Sequence, residues 1–148
     1  MKRVVAGLSV LLAVIVIAGC AMQKEPDSAR PDEPLVNTYW KLTELEGAPV
    51  EVVANQREPH FVLHADPARV MGSTGCNRMM GNYRVEEDRL YFSALATTRM
   101  ACEQGVHTEQ RFLDVLNATD EWRVTGEHLT LLDAQHETLA RFKAVHLQ

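Results

Sequence analysis

No apolar run in the chain reaches the roughly 20 residues needed to cross a bilayer core as a helix. The longest, residues 4–18, falls short, and no stop-transfer pattern follows it. Lys2 and Arg3 give it a charged start and the small residues Gly19 and Cys20 close it, so residues 1–19 are expected to be a secretory signal peptide outside the fold. Positive charge is also scarce. Removing that leader takes two of the 15 basic residues and none of the 20 acidic ones, moving the formal net charge from −5 to −7. Such an acidic chain disfavours nucleic acid and anionic lipid surfaces as partners. There is no internal repeat. The glycine-rich stretch from Gly72 to Gly81 does not end in the Gly-Lys-Ser/Thr of a phosphate-binding loop, which excludes nucleotide chemistry of that kind.

Cysteine is rare, with three in the chain, and the first is placed distinctively. Ile17-Ala18-Gly19-Cys20 resembles the bacterial lipobox, which implies that Cys20 is lipidated and becomes the new N-terminus; the alternative is an ordinary signal peptide with a cysteine near its cleavage site. Several acyl chains, each buried methylene contributing about 0.8 kcal/mol, hold a protein durably on a membrane without a transmembrane helix. By similarity with enterobacterial sorting, Ala21 rather than an aspartate after the cysteine implies the outer membrane, with the rest of the chain facing the periplasm. Residues 21–34 carry Pro26, Pro31 and Pro34 among charged and small side chains, with Met22 as the sole large apolar residue. Such a composition cannot bury enough surface to fold. Residues 20–36 are therefore expected to be a lipidated tether, reaching roughly 40 Å if semi-extended, and residues 37–148 a single domain.

Within that domain, short alternating runs predict strands at Tyr39 to Leu45, Phe61 to Leu63, Arg69 to Gly72, Tyr83 to Val85, Arg89 to Phe92, Trp122 to Val124, Leu129 to Leu131 and Ala140 to Phe142. Gly47-Ala48-Pro49 and Glu86-Glu87-Asp88 read as turns. Val106, Gln110, Leu113 and Leu116 recur at helical spacing, with Phe112 widening the stripe and Asn117 suited to ending the helix. The expected class is α+β, mostly β: an antiparallel half-barrel or barrel of six to eight short strands with one helix packed across an opening.

Two segments carry a resemblance. Gly72-Ser73-Thr74-Gly75-Cys76-Asn77-Arg78, followed by Gly81-Asn82-Tyr83, is similar to the Gly-Cys-Asn segment of META domains, and Thr97-Thr98-Arg99-Met100-Ala101-Cys102 to their second signature. Trp40-Lys41-Leu42 and Leu129-Thr130-Leu131 match in the same order, so the resemblance spans nearly the whole domain. It implies a fold like that of the heat-shock lipoprotein HslJ and, more distantly, of lipid-binding pilotins. The family-motif residues Gly75, Asn77, Arg78, Thr98, Arg99 and Met100 follow from it. An activity does not.

The chemistry of these residues can be weighed separately. Gly72, Gly75 and Gly81 suit tight turns or close strand approach. With Cys20 lipidated, Cys76 and Cys102 are an even pair in an exported domain and are expected to form a disulfide; free buried thiols, or a reactive or metal-binding thiol, are the alternatives. His60 and His64 on a strand would sit about 13 Å apart, too far to share an ion. Met71, Met79, Met80 and Met100 with a thiolate could hold Cu(I), but methionine commonly serves as core filler or pocket lining, so neither a metal nor another cofactor is expected. Arg78 and Arg99 either pair with local carboxylates or carbonyls, or hold an anionic headgroup or carboxylate.

No convincing catalytic set emerges. The expectation is a non-enzymatic envelope-stress or membrane-integrity factor that binds an envelope protein or an apolar ligand, with Met79, Met80, Tyr83 and Phe92 lining an open apolar groove. The competing reading is a small periplasmic enzyme with Cys76 or Ser73 as nucleophile and His60, His64 or His107 as base, which requires a free Cys76 and a histidine within hydrogen-bonding reach. A purely structural module within a larger complex is a third.

Overall fold

A computed structural model describes residues 31–102 and 104–146. The leader, Cys20 and most of the expected tether lie outside the described residues. Nine strands and one helix follow in the order β1 (Tyr39–Leu45), β2 (Ala48–Pro49), β3 (His60–His64), β4 (Arg69–Ser73), β5 (Arg78–Glu86), β6 (Arg89–Thr97), α1 (Val106–Ala118), β7 (Glu121–Thr125), β8 (His128–Leu132) and β9 (Thr138–Val145). The α+β, mostly β class holds. The strand beyond the expected six to eight is the two-residue β2, which lies in the turn cluster after β1 and pairs back onto Glu44 and Leu45.

All neighbours are antiparallel, and because β1 pairs with β3 on one edge and with β9 on the other, the sheet closes into a ring. Alternation along β1 shows why. Trp40, Leu42 and Leu45 are buried while Tyr39, Lys41 and Thr43 are not, and a register shift between Leu42 and Glu44 returns Leu45 to the inner face. Phe61 and Leu63 from β3 and Phe142 and Ala140 from β9 fill the same interior. Phe61 meets Phe142 edge-on with centroids 4.9 Å apart, and Phe112 from α1 lies 6.0 Å from Phe142. These side chains occupy the interior.

The thinnest seam is between β6 and β7. Their register consists of Arg89 opposite Glu121, reinforced by Leu90 N–H to the Asp120 carbonyl (3.1 Å), Trp122 N–H to the Asp88 carbonyl (2.9 Å) and an Arg89–Asp120 ion pair. Alongside, α1 packs against β6 and buries Phe112, Val115 and Leu116. This corrects the helical stripe: Val106 is 57% exposed, and the core face is turned by about one residue. The helix runs through Asn117 to Ala118, and Thr119 is its C-cap.

Residues 32–36, assigned to the tether by composition, pack on the domain. Leu35 is buried in the core, and its carbonyl accepts the Trp40 indole N–H at 2.9 Å. Glu33 N–H donates to the Gly126 carbonyl at 2.9 Å, and the Asp32 carboxylate accepts from Gly126 N–H at 2.7 Å. The proline-rich stretch ends at Pro34, and Leu35, one residue beyond it, belongs to the core. Leu35→Ala is therefore expected to cost about 2 to 4 kcal/mol of unfolding free energy, as for other buried leucines, whereas a tether position would lose less than about 0.5. Urea unfolding of the two proteins decides between them.

Candidate functional site

The two signature segments meet where β4 turns into β5, at the end of the ring that α1 approaches. Gly75 takes φ +105, a conformation open to glycine, which tightens the turn. Ser73 accepts the Gly75 N–H at 3.1 Å and donates to the Asn77 carbonyl at 3.1 Å, while Thr74 N–H reaches the same carbonyl at 2.9 Å. Gly72 is required by close approach: a Cβ there would lie 2.0 Å from the His60 carbonyl oxygen.

This turn aims the Asn77 amide inward, where every part of it is used. Its Nδ2 donates to both oxygens of Glu109 on α1, at 2.9 and 3.2 Å, and its Oδ1 accepts from the Thr98 hydroxyl at 2.9 Å and the Met100 N–H at 2.8 Å. Thr74 donates its hydroxyl proton to Glu109, and Thr98 Oγ1 accepts the Arg78 N–H at 3.1 Å. One buried amide thus ties the β4–β5 turn, the segment after β6 and the first turn of α1. The Cys76–Cys102 disulfide lies beside it with Cα atoms 6.1 Å apart, closing a 26-residue separation. Such closure contributes roughly 3 to 4 kcal/mol in the chain-entropy model.

The sequence brought out Asn77, Thr98 and both cysteines but missed Glu109 and Thr74. An acid in the first turn of a helix was the available signal for Glu109; its partner, 32 positions earlier, was not visible. Met100 is 63% exposed, and Arg78 and Arg99 are exposed, with no described carboxylate paired to either guanidinium. Local ion pairing is therefore not their role among the described residues.

The parts of the enzyme reading do not converge. Cys76 is bonded to Cys102, and Ser73 is buried with its hydroxyl committed to backbone. Among the described residues no histidine hydrogen-bonds to either. His60 Nδ1 is bonded to the Glu58 carbonyl at 2.8 Å, and His64 and His107 are exposed. Nor do Met79, Met80, Tyr83 and Phe92 line a common groove: Met79 and Phe92 are core residues, whereas Met80 is on the opposite face of β5 and 54% exposed.

A second polar cluster lies on the outer face at β1 and β3. Glu58 accepts from Tyr39 Oη at 3.1 Å and pairs with Lys41 Nζ at 2.6 Å, while the His60 and Tyr39 rings stack with centroids 4.2 Å apart. Burial holds the His60 pKa below its ordinary value, outweighing the attraction of Glu58. Burial pushes Glu58 up, but the bonds from Lys41 and Tyr39 and the nearby charges bring it below the usual range. Tyr39 is raised, by burial first and then by Glu58. A histidine with a depressed folded pKa takes up its proton more readily when unfolded, so its stabilising share is present above its unfolded value near 6.5 and is lost as pH falls toward its folded value. Glu58 acts in the same direction at lower pH, below about 4.5. The melting temperature should therefore fall between pH 7.5 and 5.5, and His60→Gln should flatten that slope; an unchanged slope in the variant would rule His60 out as its source.

Removing the Asn77 amide leaves Glu109, Thr98 and the Met100 N–H short of partners at one partly buried point. Asn77→Ala should cost about 2 to 4 kcal/mol and speed amide exchange in residues 98–102. Hydrogen-exchange mass spectrometry, with Arg78→Ala as an exposed control, reads both effects.

Among known proteins, the family model described as META domain matches residues 33–146. A protein from Burkholderia xenovorans solved by NMR superposes with a TM-score of 0.62 and 26% identity, covering 76% of this chain and 85% of its own. A second NMR structure gives 0.58 and 25%, covering 74% and 91%. A DUF4847 family protein from Bacteroides vulgatus, a crystal structure, gives 0.57 over 77% and 96% of the two chains, and at 11% identity it is alike in fold alone. No curated protein matches the chain.

Proposed function

The chain belongs to the META domain family, and we propose that it is a periplasmic lipoprotein, held in the outer membrane by lipid on Cys20, whose domain acts without catalysis by binding through its surface under envelope stress. The observation that carries the non-catalytic half is the fate of the signature residues. Asn77, Thr98, Cys76 and Cys102 are spent on holding three segments together, and Ser73 is buried and bonded to backbone. Groups used in this way are not available to attack a substrate. The fully buried Trp40, Phe61 and Phe142 inside the ring further support a surface role over an interior ligand.

A second reading, binding of an apolar ligand, has one observation in its favour. Pro34, Leu35, Trp122 and Val124 line a shallow, largely apolar niche at the end of the ring where the N-terminal segment enters. An apolar ligand fits there rather than inside the sheet.

Cells that make the chain are expected to incorporate labelled palmitate into it and to carry it in the outer-membrane fraction, and Cys20→Ser should abolish the label and release the protein to the soluble periplasm. In a strain deleted for the protein, the wild-type chain should restore resistance to heat and detergent, Cys20→Ser should not, and Ser73→Ala should restore it if its melting temperature is kept. A stable Ser73→Ala protein that fails to restore resistance would bring back the enzyme.

A further inference from the structure

We propose that the outer face of β3 to β6 is a docking surface for an anionic phospholipid membrane, with methionines entering the headgroup layer and arginines binding the phosphates. The starting point is a register. Tyr39, Val62, Met71, Met80 and Ala96 stand directly opposite one another across β1, β3, β4, β5 and β6. Directly opposed residues share a face, so the ring carries an apolar row across five strands on its outside. At its centre Met71 and Met80 are 49% and 54% exposed, and Met100, just past β6, is 63% exposed. Isolated exposed methionines need no explanation, but two paired across strands in one row form a patch.

Charge is distributed in the same place. Arg69 precedes Met71 by two residues on β4 and Arg78 precedes Met80 by two on β5, so both arginines share the outer face with the methionines, and Arg99 adjoins Met100. None of the three is paired with a described carboxylate. On the outward positions of β3 to β6 the sole acid is Glu86, bound to Arg84 at 2.7 Å. Glu58, beside Tyr39 at the edge of the row, is paired with Lys41 at 2.6 Å, so a chain with net charge −5 presents on β3 to β6 a face that is cationic and apolar. The overall charge argued against anionic lipid, but charges on the far side of the domain lie well beyond the roughly 8 Å over which they act in physiological salt. The field at the membrane is set by the facing arginines.

A membrane rather than a protein is the occupant because of where the chain leads. This inference rests on the lipid anchor proposed above. The described chain begins at Pro31, eleven positions after Cys20, and eleven residues span at most about 40 Å. That reach lets the domain lie side-on against the bilayer, and it keeps it close enough that weak surface contacts suffice.

The test uses the processed full-length chain in vesicles of phosphatidylethanolamine with phosphatidylglycerol, or of phosphatidylcholine alone, exposed to hydrogen peroxide. Peptide mass spectrometry reads sulfoxide at Met71 and Met80, with the buried Met79 as internal control, and intact mass reads the group on Cys20. Oxidation of Met71 and Met80 is expected to be several-fold slower on the anionic vesicles, with the protection lost in high salt and in Arg69→Gln/Arg78→Gln, whose exposed sites leave the fold intact. Equal rates on both vesicles would overturn the proposal, as would protection that appears only when an envelope protein fraction is added. If Cys20 carries no lipid, the anchor reading fails; anionic-vesicle protection in that sample still supports the face.

Discussion

Pairing of the first strand with the last governs this molecule. Once Tyr39 to Leu45 lies against Ala140 to Val145, the sheet has no long free edge there, and every inward side chain must fit a closed volume. The consequences appear in residue choice. On β9 the small Ala144 stands opposite Trp40 and Ala140 opposite Leu45, and phenylalanines from β3, β6, β9 and α1 meet at angled contacts rather than flat stacks. The seam between β6 and β7 is held by few ladder bonds, and there α1 supplies the missing wall with Phe112, Val115 and Leu116. A packed interior resists gradual deformation.

The helix has to be registered against the ring, and Asn77 performs that task. An amide has both donors and an acceptor on one rigid plane, so it can accept from Thr98 and Met100 on one side and donate to the Glu109 carboxylate on the other. A leucine there could fill space but could not fix rotation of α1 about its axis. The neighbouring disulfide restricts the unfolded chain and holds the end of the second signature near the first. The two effects are complementary: the covalent link limits how far the segments separate, and the amide fixes how they face.

Much of this was legible. The β-prone run from Tyr39 to Leu45 gave a strand with the observed bounds, and the two cysteines left once Cys20 is set aside gave the bond. The hairpin of β5 and β6 was read too short, as Tyr83 to Val85 and Arg89 to Phe92, because Gly81 and a bulge at Ala94, with φ 50, interrupt the alternation that marks a strand. Leu35 stands one residue past the proline-rich stretch 21–34, and composition does not show its burial or its carbonyl's bond from Trp40. Val106 misled the helix reading because periodicity names a spacing without an origin, and Leu116 satisfies two stripes one residue apart. Asn77 could be singled out as a motif residue. Its work could not be foreseen, since its partners at Thr98, Met100 and Glu109 lie 21 to 32 positions away and come together through ring closure.

That distinction bears on how function is assigned in this family. A signature shared among proteins invites the inference that its residues touch a ligand. Here Asn77, which is buried, and Thr98 are bonded to each other and the two cysteines are joined, while Arg78 and Met100 are exposed and held by their backbone: Arg78 through its N–H to Thr98, Met100 through its N–H to Asn77. Loss of the Asn77 amide would release the segment that carries Arg99 and Met100. A rigid base beneath flexible, charged side chains reduces the ordering cost of binding. A small, filled ring with a covalently pinned edge supplies such a base.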